Sequence, residues 1–140
     1  RRQILRLGHR QGTPGRMIWS AIGAILMALG VSLGAFGAHA LKDRLDAYSL
    51  DVYQKAVFYH FIHALGILIV SALFRAGALT ESACTTVSAL LLAGIVLFSG
   101  SLYLLALTGT RALGAVTPFG GVAFIAAWMW LAYCLLKASR

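Results

Sequence analysis

The run GVSLGAFGAHALK, Gly30 to Lys42, closes the first long apolar segment of the chain and decides how the rest is read. Gly30, Gly34, Gly37 and Ala38 are small enough to let a neighbouring helix bring its backbone close. In lipid, such close packing, rather than apolar burial, drives helix association. His39 and Lys42 stand three apart, which places them on one helical face at the end of the segment. The run reads as the tightly packed end of a first membrane span.

Composition points the same way. Of the 140 residues 60% are hydrophobic and 11% charged, with a mean hydropathy of +0.84, which leaves too little polar surface to cover a soluble globule. Cys84 and Cys134 fall inside apolar runs, without the spacing of a zinc site or a disulfide framework, and read as packing thiols. The net charge of +8 is unevenly spread, because Arg1, Arg2, Arg6, Arg10 and Arg16 all precede the first span. A basic arm so placed meets anionic lipid headgroups, at about 1 kcal/mol per charge near the surface. A nucleic-acid partner is not expected.

Outward from the opening run, residues 1–16 form a loose or surface-lying basic arm in which His9 is solvated. Because the sequence opens without Met, its arginine-rich, acid-free start also fits the remnant of an organelle-targeting peptide. Residues 17–41 lack charge and would extend about 37 Å as a helix, against a hydrocarbon core of about 30 Å. That run exceeds the roughly 7–15 apolar residues of a signal core, so a retained span is expected rather than a cleaved leader.

Residues 42–55 mix both charges and read as a solvent-facing connection. Ser49 is the expected N-cap of a helix starting near Leu50, with Asp51 in its first turn. Further spans are expected over about 56–74, 83–107 and 113–136, with Pro118 near the start of the last, where helices tolerate proline. The fold class is thus all-α: a single four-span membrane bundle over 17–140, its last three helices antiparallel neighbours joined by short turns. Trp19, Trp128, Trp130 and Tyr133 are expected as interface anchors and lipid-facing packing.

With the N-terminus inside, eight of the twelve Lys and Arg residues lie on the inner side and Lys42, Arg44, Lys55 and Arg111 on the outer. Excess positive charge marks the cytoplasmic side, or the matrix side in a mitochondrial inner membrane. In a bacterial inner membrane both termini are then cytoplasmic. This topology gathers most intramembrane polar side chains into the outer leaflet: His39, Lys42, Tyr53, His60, His63, Ser99, Tyr103 and Thr117. His60 and His63 share a stripe and should point together into the bundle, since an imidazole in lipid needs a partner. On the third span Ser99, Tyr103 and Thr110 form one face, while Gly94, Ser101 and Thr108 form a second, small-residue face suited to close packing.

Three histidines in one leaflet admit a metal or haem site, with His60 and His63 at i, i+3 spacing and His39 as a third donor. The plainer reading is that they hydrogen-bond Ser, Tyr or backbone groups and tie spans together, each bond worth on the order of 0.6 kcal/mol. With no carboxylate, aspartate or cysteine beside them, no metal and no cofactor is assigned, and a proton relay lacks its acid. There is no phosphate-cradling loop, nucleophile elbow or zinc-protease pattern. Ser99 in SGS has no identifiable base, so the chain is read as a non-enzyme.

The runs LGAFGAHALK (Leu33 to Lys42), AVFYHFIHALG (Ala56 to Gly66), LFSGSLYLLALTG (Leu97 to Gly109) and TPFGG (Thr117 to Gly121) resemble the small, uncharacterised bacterial inner-membrane family typified by YgdD. Its eukaryotic relatives are the transmembrane protein 256 family. The resemblance covers about residues 17–136 and implies a four-helix integral membrane protein, with no established activity, substrate or cofactor. The arginine-rich arm departs from the family pattern. Two functions are weighed: a non-catalytic accessory or assembly subunit beside other membrane protein subunits, or a small binding or transport protein using the His/Ser/Tyr cluster for a metal, haem or lipid headgroup.

Overall fold

The computed structural model describes residues 15–138, with side chains from Ile18 onward. The expectations for the basic arm, for His9 and for Arg140 lie outside the described residues. Helix α1, Gly15–Phe36, continues through a π-helical turn, Gly37–Leu41. Helix α2 covers Ala47–Arg75. Helix α3, Glu81–Gly94, passes through a second π turn, Ile95–Ser99, into α4, Gly100–Thr108. A 3₁₀ turn, Arg111–Ala115, leads to α5, Thr117–Ala138, and no strand occurs among the described residues. Four helical segments are long and apolar enough to cross a membrane: Ile18–Leu41, Ala47–Arg75, Glu81–Thr108 and Arg111–Ala138.

The start of α2 differs from the sequence reading. Asp46, not Ser49, is the N-cap: its backbone is extended and its Oδ1 accepts from Ser49 N at 2.8 Å. Ser49 lies within the first turn and returns its hydroxyl to Asp46 Oδ2 at 3.2 Å. The helix therefore begins before the apolar run and carries Asp51 and Lys55, an exposed i, i+4 pair at 2.6 Å, near its start. Thr80 caps α3 by accepting from Ala83 N at 3.2 Å. At the far end of the third span Gly109, at φ 70°, supplies the left-handed residue that stops α4.

Helix α2 is the axle. Its residues Ala64, Ile67 and Val70 pack with Val87 and Leu91 of α3 and with Phe124 and Ala127 of α5 in the main core. A smaller cluster at the other end joins Leu41, Val52, Tyr53, Leu105 and Ala106. In the most apolar 18-residue stretch of each span, 44% and 39% of residues are buried in the second and third, against 17% and 22% in the first and fourth. The outer two spans thus turn most of their surface away from the bundle.

The glycines of the opening run are occupied from within. A methyl added at Gly30 would stand 3.1 Å from the Phe61 ring, at Gly34 3.4 Å from Val57, and at Gly37 2.6 Å from Tyr53. At Gly94 it would strike the Phe124 ring. Large side chains of the same chain fill these grooves. Trp19 packs against the main core, and the Trp128 ring covers Gly66. Trp130 and Tyr133 are exposed, as anchors would be.

Candidate functional site

The polar groups converge where α2 meets its three neighbours. Tyr53, 1% exposed, donates its hydroxyl to Leu33 O at 2.9 Å, and two turns further along His60 meets Leu26 O, also at 2.9 Å. Two side chains of one helix thus grip the backbone of the next, using lone pairs that the helical ladder leaves free. A carbonyl can only accept, so Nε2 of His60 carries the hydrogen and Nδ1 is the acceptor. Tyr103 on α4 supplies the complementary donor, its hydroxyl 3.3 Å from His60 Nδ1. The Tyr53 and Tyr103 rings meet edge to face, centroids 5.1 Å apart. His60, with both ring nitrogens engaged, therefore ties three spans.

His63 turns elsewhere. Its Nδ1 faces Tyr59 O of its own helix at 2.7 Å, which makes Nδ1 the donor and leaves the lone pair on Nε2. The ring lies flat on Phe124 of α5, centroids 3.4 Å and planes 9° apart, with Tyr59 parallel to it at 5.9 Å. Both histidines face into the bundle, 4% and 5% exposed, but they hold opposite tautomers and serve different neighbours.

A third tie joins the last two spans. Ser101 donates to Phe98 O at 3.0 Å, so the 2.8 Å contact between Ser101 and Thr117 has the Thr117 hydroxyl as donor. Beside it, Gly120 lies against the backbone nitrogen of Phe98, leaving no room for a side chain. The TPFGG run is thereby accounted for: a hydroxyl anchor, a proline in the first turn, and a glycine that admits the π turn. Gly120 was not singled out in the sequence, although that run was its signal. The same holds for Phe124, whose importance lies in three-dimensional packing alone. Ser99, within the π turn, is fully buried with no hydrogen-bond partner for its hydroxyl.

His39 and Lys42 are exposed at the end of the first span, apart from the buried pair. The three-histidine arrangement considered above is thus not assembled, and among the described residues no group of three or more His, Cys, Asp or Glu is placed to hold a metal ion. Thr108 and Thr110 are exposed, so neither proposed face of the third span extends to its end. What the arrangement does chemically is fasten helices: every bond runs between spans or along one, and none needs a charge.

The family described as a protein of unknown function (DUF423) matches residues 33–121. The UPF0382 membrane protein YwdK of Bacillus subtilis (strain 168) is 46% identical over 121 residues, covering 86% of this chain and 97% of that protein. A UPF0382 membrane protein of Staphylococcus epidermidis (strain ATCC 12228 / FDA PCI 1200) is 42% identical over 120 residues, covering 86% and 96%. No solved structure matches. With the tied four-span bundle on one side and relatives of this identity and coverage on the other, the chain belongs to the UPF0382 membrane proteins, the family described as DUF423.

Proposed function

We propose that the chain is a non-catalytic accessory subunit that lends its outer spans to a larger assembly in a bacterial inner membrane, both termini on the cytoplasmic side. On the four motifs quoted above, this reading extends to the YgdD-type proteins and the transmembrane protein 256 family. The observation that carries it is the lopsided burial: the first span has 17% of its most apolar stretch inside the bundle. Its outer face presents Ile18, Ile25, Leu29, Val31 and Phe36 to whatever lies alongside. The inner glycines no longer count toward a partner, since Phe61, Val57 and Tyr53 occupy them. A partner would instead meet a smooth apolar ridge, suited to another membrane protein's apolar helix. Gentle extraction from native membranes with cross-linking from Leu29 should return the chain bound to a larger protein; a free monomer would end this reading.

A second reading, ligand binding at the polar cluster, is favoured by His63, whose Nδ1 is taken up by Tyr59 O and whose lone pair is left on Nε2. That lone pair could ligate a metal or a haem iron, or accept from a headgroup hydroxyl. Metal analysis and an absorption spectrum of the native protein test it, and an empty, colourless protein whose behaviour is unchanged by His60→Ala with His63→Ala would remove it.

A further inference from the structure

A recess of about 500 Å³ opens between the α2–α3 turn and the last turns of α5, at the end of the bundle that holds the C-terminus of α5. Its size falls within the roughly 300–1,000 Å³ over which small-molecule sites are found. Leu79 and Ala83, both nearly buried, form its floor. Thr80, Ser82 and Lys137 line it at the helix ends, and Trp130 and Cys134 line it deeper. From Lys137 back to Trp130 the helix descends about 10 Å at about 1.5 Å per residue. The recess therefore grades from charged and hydroxylic at the surface to apolar below, over the depth at which a phospholipid passes from phosphate to acyl chain.

We propose that this recess binds the headgroup of an anionic phospholipid, its phosphate paired with Lys137 and its first methylenes laid against Trp130 and Tyr133. Lys137 is exposed and forms no ion pair among the described residues, in contrast to Lys55, which Asp51 neutralises. Arg75, also exposed, lies at the same end but does not line the recess. Glu81 opens α3 at that end too, but it does not line the recess. Trp130 and Tyr133, 45% and 53% exposed with ring centroids 5.4 Å apart, make the lipid-facing wall. Aromatic rings of this kind favour the headgroup level, and a long basic side chain reaches from there to the phosphates. The site needs neither the outer face of the first span nor the histidines, so it stands or falls separately from the subunit role.

Cys134 lines the recess while Cys84 is buried, so one native thiol reports on occupancy. The protein is placed in nanodiscs of phosphatidylcholine, or of phosphatidylcholine mixed with phosphatidylglycerol, and Cys134 is alkylated with a water-soluble maleimide. Modification should be several-fold slower with phosphatidylglycerol. Lys137→Gln should restore the faster rate, and Arg75→Gln, outside the recess, should leave the protection in place. Native mass spectrometry should find phosphatidylglycerol retained by the original protein and lost from Lys137→Gln, with both unfolding at the same temperature. Equal rates in the two lipids would overturn the proposal. So would loss of protection in Arg75→Gln, which would mean diffuse surface charge, or equal protection by soluble glycerol phosphate in phosphatidylcholine alone, which would mean a free phosphate ligand.

Discussion

The imidazole of His63 lies face to face with the ring of Phe124, centroids 3.4 Å apart, so that the second and fourth spans meet through stacked planes rather than through a hydrogen bond. Such a pair contributes about 0.5–1.5 kcal/mol beyond its buried area. A double-mutant cycle with His63→Ala and Phe124→Leu, read from reversible unfolding in mixed micelles, should return a coupling in that range. Additive losses would mean that the two rings are merely neighbours.

The glycines separate into two kinds. At Gly120 a methyl would meet the Phe98 backbone, which cannot be trimmed, so Gly120→Ala should destabilise by about 1–3 kcal/mol. At Gly94 it would meet only the Phe124 ring, so Gly94→Ala should be partly rescued by Phe124→Leu. Gly100 has nothing closer than Ile95 O at 3.9 Å, and Gly100→Ala should fall within about 0.5 kcal/mol of the original, helped by alanine's helix propensity. The same micelle unfolding series checks all three.

Among the described residues, Tyr103 is the donor to His60 Nδ1. Tyr103→Phe should therefore cost about 0.6 kcal/mol, with about 1.7 as a ceiling for such bonds in a bilayer. His60→Leu, which frees the Leu26 carbonyl as well, should cost more than Tyr103→Phe. If Tyr103→Phe is as damaging in a His60→Leu background as alone, the bond contributes nothing.

Asp46 supplies an acid-sensitive joint at the start of α2. The backbone N–H of Ser49, aided by its hydroxyl, holds the Asp46 carboxyl below its ordinary 3.8. A carboxyl lowered in the folded state stabilises the cap above the ordinary value and loses that effect as pH falls through the folded one. Amide protection of Ser49, corrected for intrinsic exchange, should therefore fall in acid below about pH 4. Asp46→Asn should show no such fall, and an identical fall in the variant would remove Asp46 from the explanation.

The four apolar runs were plain in the sequence because lipid demands uncharged helical lengths of about 20 residues, a signal too strong to miss. The cap at Asp46 was legible too, three residues ahead of Ser49, yet the serine stood closer to the apolar run and drew the assignment. That both histidines face the bundle was legible, but which neighbour each would meet was not. Residues three apart on a helix differ by about 60° around its axis, which is enough for His60 to reach the first span and the Tyr103 hydroxyl while His63 turns to Phe124. Nor could spacing tell whether Gly30, Gly34, Gly37 and Gly94 receive a foreign helix or a side chain of their own. Glycine marks only that something comes close, and here Phe61, Val57, Tyr53 and Phe124 are what comes.

The turn at Ile95–Ser99 holds one residue more than an α-helical turn. Each extra residue advances everything beyond it by about 100° around the helix axis. The upper third of the third span is thereby set at a different angular phase from its lower part. Below the offset Val87 and Leu91 mesh with the axle's apolar side, while above it Ser101 finds Thr117 and Tyr103 finds His60. One inserted residue lets a continuous helical span be apolar-packed at one end and hydrogen-bonded at the other.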